Sequence, residues 1–255
     1  MSKVYTITNQ KGGVGKTTTT LALASVFHDK GHKVLVIDMD PQGNLGFSLG
    51  ADNVISATIY EVLKGELRAQ YAIQHTKTVD IITSNILLSA IELEFTDSGR
   101  EYLLKQAINN IKSFYDYILI DTPPALGILT INAMTASDFV IIPMCADIFS
   151  LQGITQLNET IHRIQEYSNP KLQIAGVLLN KYEGRKLLNK EVKGAADLIF
   201  KELEIPMFKT TVRPSISVTE AQSAQKDVVK YCTRKGILQD YYRLAEEIGK
   251  VSIHE

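Results

Sequence analysis

Apolar positions along this chain fall into two rhythms. Short, nearly unbroken apolar runs occupy residues 4–8, 34–37, 79–82, 117–120, 139–142 and 174–179. Runs this short, rich in Val and Ile and without polar alternation, predict strands buried on both faces. Residues 17–30, 100–114, 151–167 and 189–203 lie between or after them and carry helical spacing; Ile108 with Ile111, and Ile161 with Ile164, share a face. Strand and helix in turn predict right-handed βαβ units. The expected fold is therefore α/β, a doubly wound, mostly parallel sheet with helices on both faces. In such a sheet ligands sit beyond the carboxyl ends of the strands.

Composition narrows the setting. A chain of 255 residues with a 45% hydrophobic share can bury one sizeable core, and no Pro/Gly/Ser-rich linker divides it. One domain over residues 1–255 is expected. No apolar run is long enough to span a bilayer, and no signal peptide precedes the first strand. Cys145 and Cys232 stand apart, which suits a reducing, cytoplasmic compartment. The net charge is only -1, but residues 1–180 hold 13 Lys+Arg against 17 Asp+Glu, and residues 181–255 hold 14 against 11. The basic surplus lies late in the chain.

The first strand runs into Asn9-Gln10-Lys11-Gly12-Gly13-Val14-Gly15-Lys16-Thr17-Thr18, and a helix follows. Polyphosphate binding needs this arrangement. The glycines let backbone N–H groups turn inward toward phosphate oxygens, and the helix start adds further N–H groups and its positive dipole end. Lys16 is placed to bridge the terminal phosphates, and the Thr17 hydroxyl to ligate magnesium.

The second lysine, Lys11, just before the glycines, resembles the deviant Walker A loop of the ParA/MinD superfamily of ATPases. Three further stretches are similar to that superfamily's motifs: Val36-Ile37-Asp38-Met39-Asp40-Pro41-Gln42-Gly43-Asn44, Ile118-Leu119-Ile120-Asp121-Thr122-Pro123-Pro124 and Val218-Thr219-Glu220-Ala221. The likeness runs from residue 3 to about residue 245 and favours the ParA/Soj branch. It implies ATP and magnesium as ligands and a nucleotide-sandwich homodimer in which Lys11 reaches the phosphates of the facing subunit. Charge delivered across the interface acts only when both partners close, which couples dimerisation to ATP.

Asp38 and Asp40 sit at the mouth of the second strand, and Asp40 is held extended by Pro41. By resemblance Asp40 positions the attacking water, and Asp38 orders the magnesium shell or the loop. Positioning should dominate over proton abstraction beside a metal ion. Asp121 follows its apolar strand in the Walker B setting of a magnesium-linked carboxylate. Lys11, Lys16 and Asp40 are thus the expected catalytic residues, and Thr17, Asp38 and Asp121 the metal-linked ones. The segment Thr122 to Gly127 reads as a stiff corner ending in a glycine pivot, able to sense the terminal phosphate. With no arginine near these motifs, unaided hydrolysis should be slow.

Asn180 closes the sixth predicted strand, where the superfamily places a base-contacting residue; Arg213 and Pro214 fall in its last nucleotide-proximal loop. Asn180-Lys181-Tyr182-Glu183 also resembles a guanine-reading motif with Glu in the final position, one methylene longer than usual; the remaining motifs favour adenine. Arg185, Lys186, Lys190 and Lys193 read as a basic helical stripe, with Lys209 and Arg213 following. The resemblance implies nonspecific double-stranded DNA binding through such residues, doubled in the dimer, and a ParB-like centromere-binding partner that stimulates hydrolysis. The expected location is the nucleoid. Two alternatives share the fold. A MinD-type membrane ATPase needs a basic amphipathic tail, whereas residues 244–255 are acidic and weakly apolar. A ParA that positions a protein cargo would run the same cycle. An iron–sulfur reductase needs paired cysteines, which this chain lacks.

Overall fold

The computed structural model describes residues 2–232 and 235–251. In chain order the elements are β1 Lys3–Ile7, α1 Lys16–Asp29, β2 Val34–Asp38, α2 Asn44–Ser48, α3 Ile59–Leu63, β3 Ile73–His75, β4 Asp80–Ile82, α4 Ile91–Glu94, α5 Leu103–Ile108, β5 Tyr117–Asp121, α6 Ile128–Ala136, β6 Phe139–Cys145, α7 Ile148–Tyr167, β7 Gln173–Asn180, α8 Leu187–Glu202, α9 Ile216–Ser223, α10 Val228–Tyr231 and α11 Lys235–Gly249. The strands form one sheet in the order β3-β4-β2-β5-β1-β6-β7. Every pairing is parallel except β3 with β4 at the edge. The six predicted strands are present, and β3 is an addition too short to announce itself.

Both faces are covered, as continuous apolar strands require. On one face α1 packs with α9 to α11, so that Leu21, Leu23 and Phe27 meet Tyr241, Leu244 and Ile248 in a single cluster. On the other, Ile59, Leu104, Ile108 and Leu129 cover β2 and β5, while Leu151, Ile161 and Phe200 cover β6 and β7.

Residues 100–114 are not the continuous helix that their spacing predicts. A 3-10 turn at Arg100–Tyr102, then α5, then a second turn at Lys112–Phe114 occupy this stretch. Asn109 and Asn110 stand where the chain leaves α5, a residue type that bonds its own backbone at helix expense. Asn132 of α6 also binds the entrance, accepting the Leu104 N–H and donating to the Arg100 carbonyl. α7 begins three residues earlier than its apolar spacing suggests, because Asp147 caps it by accepting the Ser150 N–H.

Candidate phosphate-binding site

The parallel register carries the chemistry to one edge. Ile7 of β1 and Asp38 of β2 both lie opposite Asp121 of β5, so two carboxylates end adjacent strands side by side, next to the loop that follows β1. That loop is braced from outside. Asn9 donates to the Pro143 carbonyl (2.7 Å) and accepts the Lys11 N–H (2.9 Å), Asn180 donates to the Val14 carbonyl (2.9 Å), and Lys181 donates to the Gly13 carbonyl (2.8 Å). Among the described residues the N–H groups of Gly12, Gly13, Val14 and Gly15 have no protein acceptor. With the carbonyls held away, the loop offers donors to an anion at the N-terminus of α1. Gly15 is obligatory here. Its φ is +92°, and a Cβ would meet the Asn180 amide nitrogen at 2.3 Å.

The loop's two lysines behave differently. Lys16 is 8% exposed, and its Nζ reaches across the loop toward the Lys11 carbonyl (3.4 Å). Burial pushes its pKa down while Asp121 and Asp40 pull it back, leaving a net lowering. Lys11 instead turns outward. Its ammonium pairs with Asp147 at 2.6 Å and lies 6.0 Å from the ring of Phe149. Burial alone raises Asp147, but Lys11 and the Ser150 N–H and hydroxyl outweigh it and hold that carboxyl below its usual range.

The three aspartates also divide. Asp38 is fully buried and saturated, accepting the N–H groups of Asp40 (3.0 Å), Leu45 (3.1 Å) and Gly46 (3.3 Å), so it shapes the loop from residue 39 to α2. Asp121 is equally buried, but its Oδ2 has no hydrogen-bond partner. A buried, unpartnered carboxylate oxygen costs stability unless something cationic meets it, so the donor set fits a hard divalent ion. Among the described residues no group of three or more His, Cys, Asp or Glu forms a cage. An ion there needs phosphate and water oxygens, as magnesium usually does. Asp40 is half-buried on the rim; it accepts the Gln42 N–H, and its carbonyl takes the Ser84 hydroxyl.

Burial pushes the Asp38 carboxyl up to about 7, and burial plus the Asp38 charge lift Asp121 well above the carboxylate range. Native pKa values above the unfolded ones mean that the folded state binds more protons, so stability falls as pH rises toward about 7. The metal-free protein should therefore melt on the order of a few degrees lower at pH 8 than at pH 5.5. Asp121→Asn should flatten that difference in a thermal melt. The residues whose carboxyls are held down (Asp52, Glu61, Asp147) act in the opposite sense, but at more acidic pH. An unchanged slope in Asp121→Asn would mean that other groups set it.

Thr17 contacts Asp121, and Thr18 donates to Gln222 of α9, tying the loop to the late motif whose Val218 and Ala221 are buried. Thr122 donates to the Ile7 carbonyl, and Gly127 caps α6 in extended backbone open to any residue. Pro214 and Arg213 line a cavity of about 740 Å³ with Lys181, Ile216, Thr219 and Ile237. The Arg213 guanidinium is clamped by Asp240 of α11 through two bonds of 2.7 and 2.9 Å.

That clamp revises the basic stripe. Arg213 is neutralised in place, Lys186 precedes α8 and pairs with Glu183 (2.6 Å), and Lys193 pairs with Asp197 (2.9 Å). Among the described residues Arg185, Lys190 and Lys209 form no ion pair. Arg185, Lys209, Arg213 and Arg243 line a second groove of about 710 Å³. Sequence reasoning missed Arg243 and Asp147, and it named Asn9 and Lys181 within their motifs without the bracing role that the structure gives them. Only Asp147 carried a signal, since an Asp three residues ahead of Ser150 at a helix start is a capping pattern.

Comparison with known proteins fits this geometry. A family model described as an AAA domain matches residues 2–174. The sporulation initiation inhibitor protein Soj of Bacillus subtilis is 37% identical, with 98% of this chain and 99% of that one aligned. The chromosome partitioning protein ParA of Caulobacter vibrioides is 38% identical over 96% of this chain and 93% of its own. Among solved structures, one from Mycobacterium smegmatis described as cobyrinic acid a,c-diamide synthase, with bound ADP and magnesium, superposes with a TM-score of 0.82. It is 30% identical and covers 96% of this chain and 93% of that one.

Proposed function

The chain belongs to the ParA/Soj family of partitioning ATPases, and from that premise we propose that it is an ATP-driven DNA switch. ATP and magnesium bind at the loop of Lys11 to Thr18, two copies close around the nucleotides, and the dimer holds duplex DNA without sequence preference. A ParB-like partner then accelerates a slow hydrolysis and releases it. The observation that carries this reading is the division between the two loop lysines. Lys16 lies inside its own phosphate cradle, and Lys11 is held outside it on a side chain of the rim.

The residues take these parts. Backbone N–H groups from Gly12 to Gly15 receive phosphate oxygens, and Lys16 neutralises the terminal phosphates. A magnesium ion held by Thr17 and Asp121, with Asp38 ordering the loop beside it, would supply positive charge as the terminal phosphate leaves. Asp40 holds water in line for attack, and Lys11 enters the partner's site. Asn180, Arg213 and Pro214 border the base. Arg185, Lys190 and Lys209 contact DNA phosphates, and Lys186, Lys193 and Arg213 follow if their pairs open.

In support of a DNA rather than a membrane surface, the last described turns of α11 are occupied by the core: Leu244, Ala245 and Ile248 are buried. Residues 252–255 of the acidic tail lie outside the described residues. No described helix is long and apolar enough to cross a membrane.

The test is retention of nonspecific duplex DNA with ATP, with ADP and without nucleotide. Retention is expected only with ATP and should weaken steeply with salt. Arg185→Ala combined with Lys190→Ala should lower the salt slope by about 2 for each protomer bound. Retention independent of nucleotide would sink the switch, and pull-down by lipid vesicles with ATP would move the reading to a membrane.

A further inference from the structure

Two consecutive residues after β7 hold two consecutive carbonyls of the phosphate loop. Asn180 donates to the Val14 carbonyl (2.9 Å), and the Lys181 ammonium donates to the Gly13 carbonyl (2.8 Å). Asn180 is buried, and its amide oxygen also accepts the Lys181 N–H (2.9 Å), so the two braces are tied to each other.

Lys181 is the less expected of the pair. Its backbone is left-handed at φ +54°, a conformation that side chains disfavour and that persists only where the surroundings fix it. The residue is exposed, yet among the described residues its ammonium pairs with no carboxylate and takes a loop carbonyl instead.

The chemistry lies in the atoms that these braces leave free. A peptide unit joins the carbonyl of one residue to the N–H of the next. The unit that gives its carbonyl to Lys181 ends in the Val14 N–H, and the unit held by Asn180 ends in the Gly15 N–H. Neither N–H has a protein acceptor among the described residues. In a trans peptide the two groups point in opposite directions, so a carbonyl drawn outward turns its N–H toward the anion site. A cation on the carbonyl oxygen also draws electron density from the amide nitrogen, which makes that N–H a better donor. Gly13 needs the restraint. It stands at φ +74°, and nothing lies within 4 Å of where a Cβ would be, so no side chain of its own opposes a peptide flip. A flipped unit would set a carbonyl oxygen against a phosphate.

We propose that Lys181 is a positioning residue of the phosphate site, its ammonium fixing the Gly13–Val14 peptide with the N–H turned toward the nucleotide. This rests on the phosphate-binding reading above. It gives a residue outside the glycine loop control over the loop's donors. The rival role is direct contact with the base, because Lys181 also lines the cavity of about 740 Å³ that Arg213, Pro214 and Thr219 border. A ligand without a base separates the two.

The experiment titrates the full chain, in magnesium, with a non-hydrolysable ATP analogue, with ADP and with inorganic tripolyphosphate. It also records carbonyl-carbon and amide-nitrogen NMR shifts of the nucleotide-free protein. Lys181→Met keeps the aliphatic stem and should weaken all three ligands alike, by about tenfold, the low end for a charged hydrogen bond because the ammonium is exposed. Lys181→Arg keeps a donor cation and should stay within about threefold of the wild type. Lys181→Gly should weaken the ligands as Lys181→Met does while leaving the melting temperature nearly unchanged, since the strain that glycine relieves offsets its extra unfolded freedom. A lysine that only stabilised the fold would lose both together. In the nucleotide-free protein Lys181→Met should shift the Gly13 carbonyl and Val14 amide resonances.

Wild-type affinities and unshifted resonances in Lys181→Met overturn the proposal. A loss confined to the ATP analogue and ADP makes Lys181 a base contact, and a loss that spares ADP makes it a contact of the terminal phosphate. Either result removes the positioning role. If the wild type binds none of the three ligands, the phosphate-site reading itself has failed and the proposal falls with it.

Discussion

Lys11→Ala is expected to bind ATP about as well as the wild type, yet remain monomeric and retain no duplex DNA. The expectation follows from where the side chain stands. Lys11 makes its ion pair with Asp147 on the rim and donates nothing to its own loop's interior, which is served by Lys16 and by unpartnered N–H groups. Removing it subtracts little from binding within one subunit. In a two-fold dimer, however, two lysine–phosphate contacts disappear together, each worth about 1.5–3 kcal/mol as a charged hydrogen bond. Their sum corresponds to a weakening of the dimer by roughly a hundredfold to ten-thousandfold.

Leaving Asp147 costs Lys11 little by comparison. Both partners are about a third exposed, and pairs of that kind contribute about 0–1 kcal/mol. Two such pairs open in a two-fold dimer, so Asp147→Asn should tighten it by no more than about thirtyfold, in the direction opposite to Lys11→Ala. Light scattering with a non-hydrolysable ATP analogue, read beside nucleotide affinity and DNA retention, separates the cases. A Lys11→Ala protein that dimerises normally would return Lys11 to an ordinary surface lysine.

The parts of the site legible in the sequence were those whose chemistry is local. A strand, a glycine turn and a helix in direct succession fix the phosphate loop without help from the rest of the chain, and Asp38 and Asp121 stand at the ends of strands that their own Val and Ile content announces. The direction of the sheet followed from the alternation of strand and helix, and with it the edge on which these residues meet.

What escaped were pairings between distant stretches. Nothing near Arg213 announces that Asp240, in another helix, clamps it, and spacing alone could not show that Lys186 and Lys193 are occupied by Glu183 and Asp197. Elements were missed for a related reason. α6 is buried on almost every side, so it lacks the polar face by which a helix is read from sequence. α11 has a clear apolar stripe through Ile237, Tyr241, Leu244 and Ile248, but the charged residues between them masked it. The predicted helix at 100–114 is broken into α5 and two flanking turns, and Asn109 and Asn110, of low helix propensity, stand where α5 ends.

Asp40→Ala should leave ATP binding, dimerisation and DNA retention in place while slowing hydrolysis by roughly a hundredfold to a thousandfold, so that the partner no longer releases the dimer from DNA. The loop survives this change because its anchors are elsewhere. The Asp40 carbonyl, which alanine keeps, accepts the Ser84 hydroxyl and the Gly43 N–H, and its own N–H remains bound to Asp38. Only the side-chain bond to the Gln42 N–H is lost, and that group lies toward solvent. Asp38→Ala is the contrasting variant. It strips the acceptor from the N–H groups of Asp40, Leu45 and Gly46, two of them in the buried start of α2, and each orphaned donor costs about 1–3 kcal/mol. Relief of the buried carboxylate's own cost offsets part of this, so the net loss should be visible in a melt but not additive. Asp38→Ala should thus lower stability and nucleotide affinity together, whereas Asp40→Ala should separate binding from turnover. Single-turnover hydrolysis measured on DNA-bound protein distinguishes them, and an Asp40→Ala protein that hydrolyses at the wild-type rate would remove Asp40 from the water-positioning role.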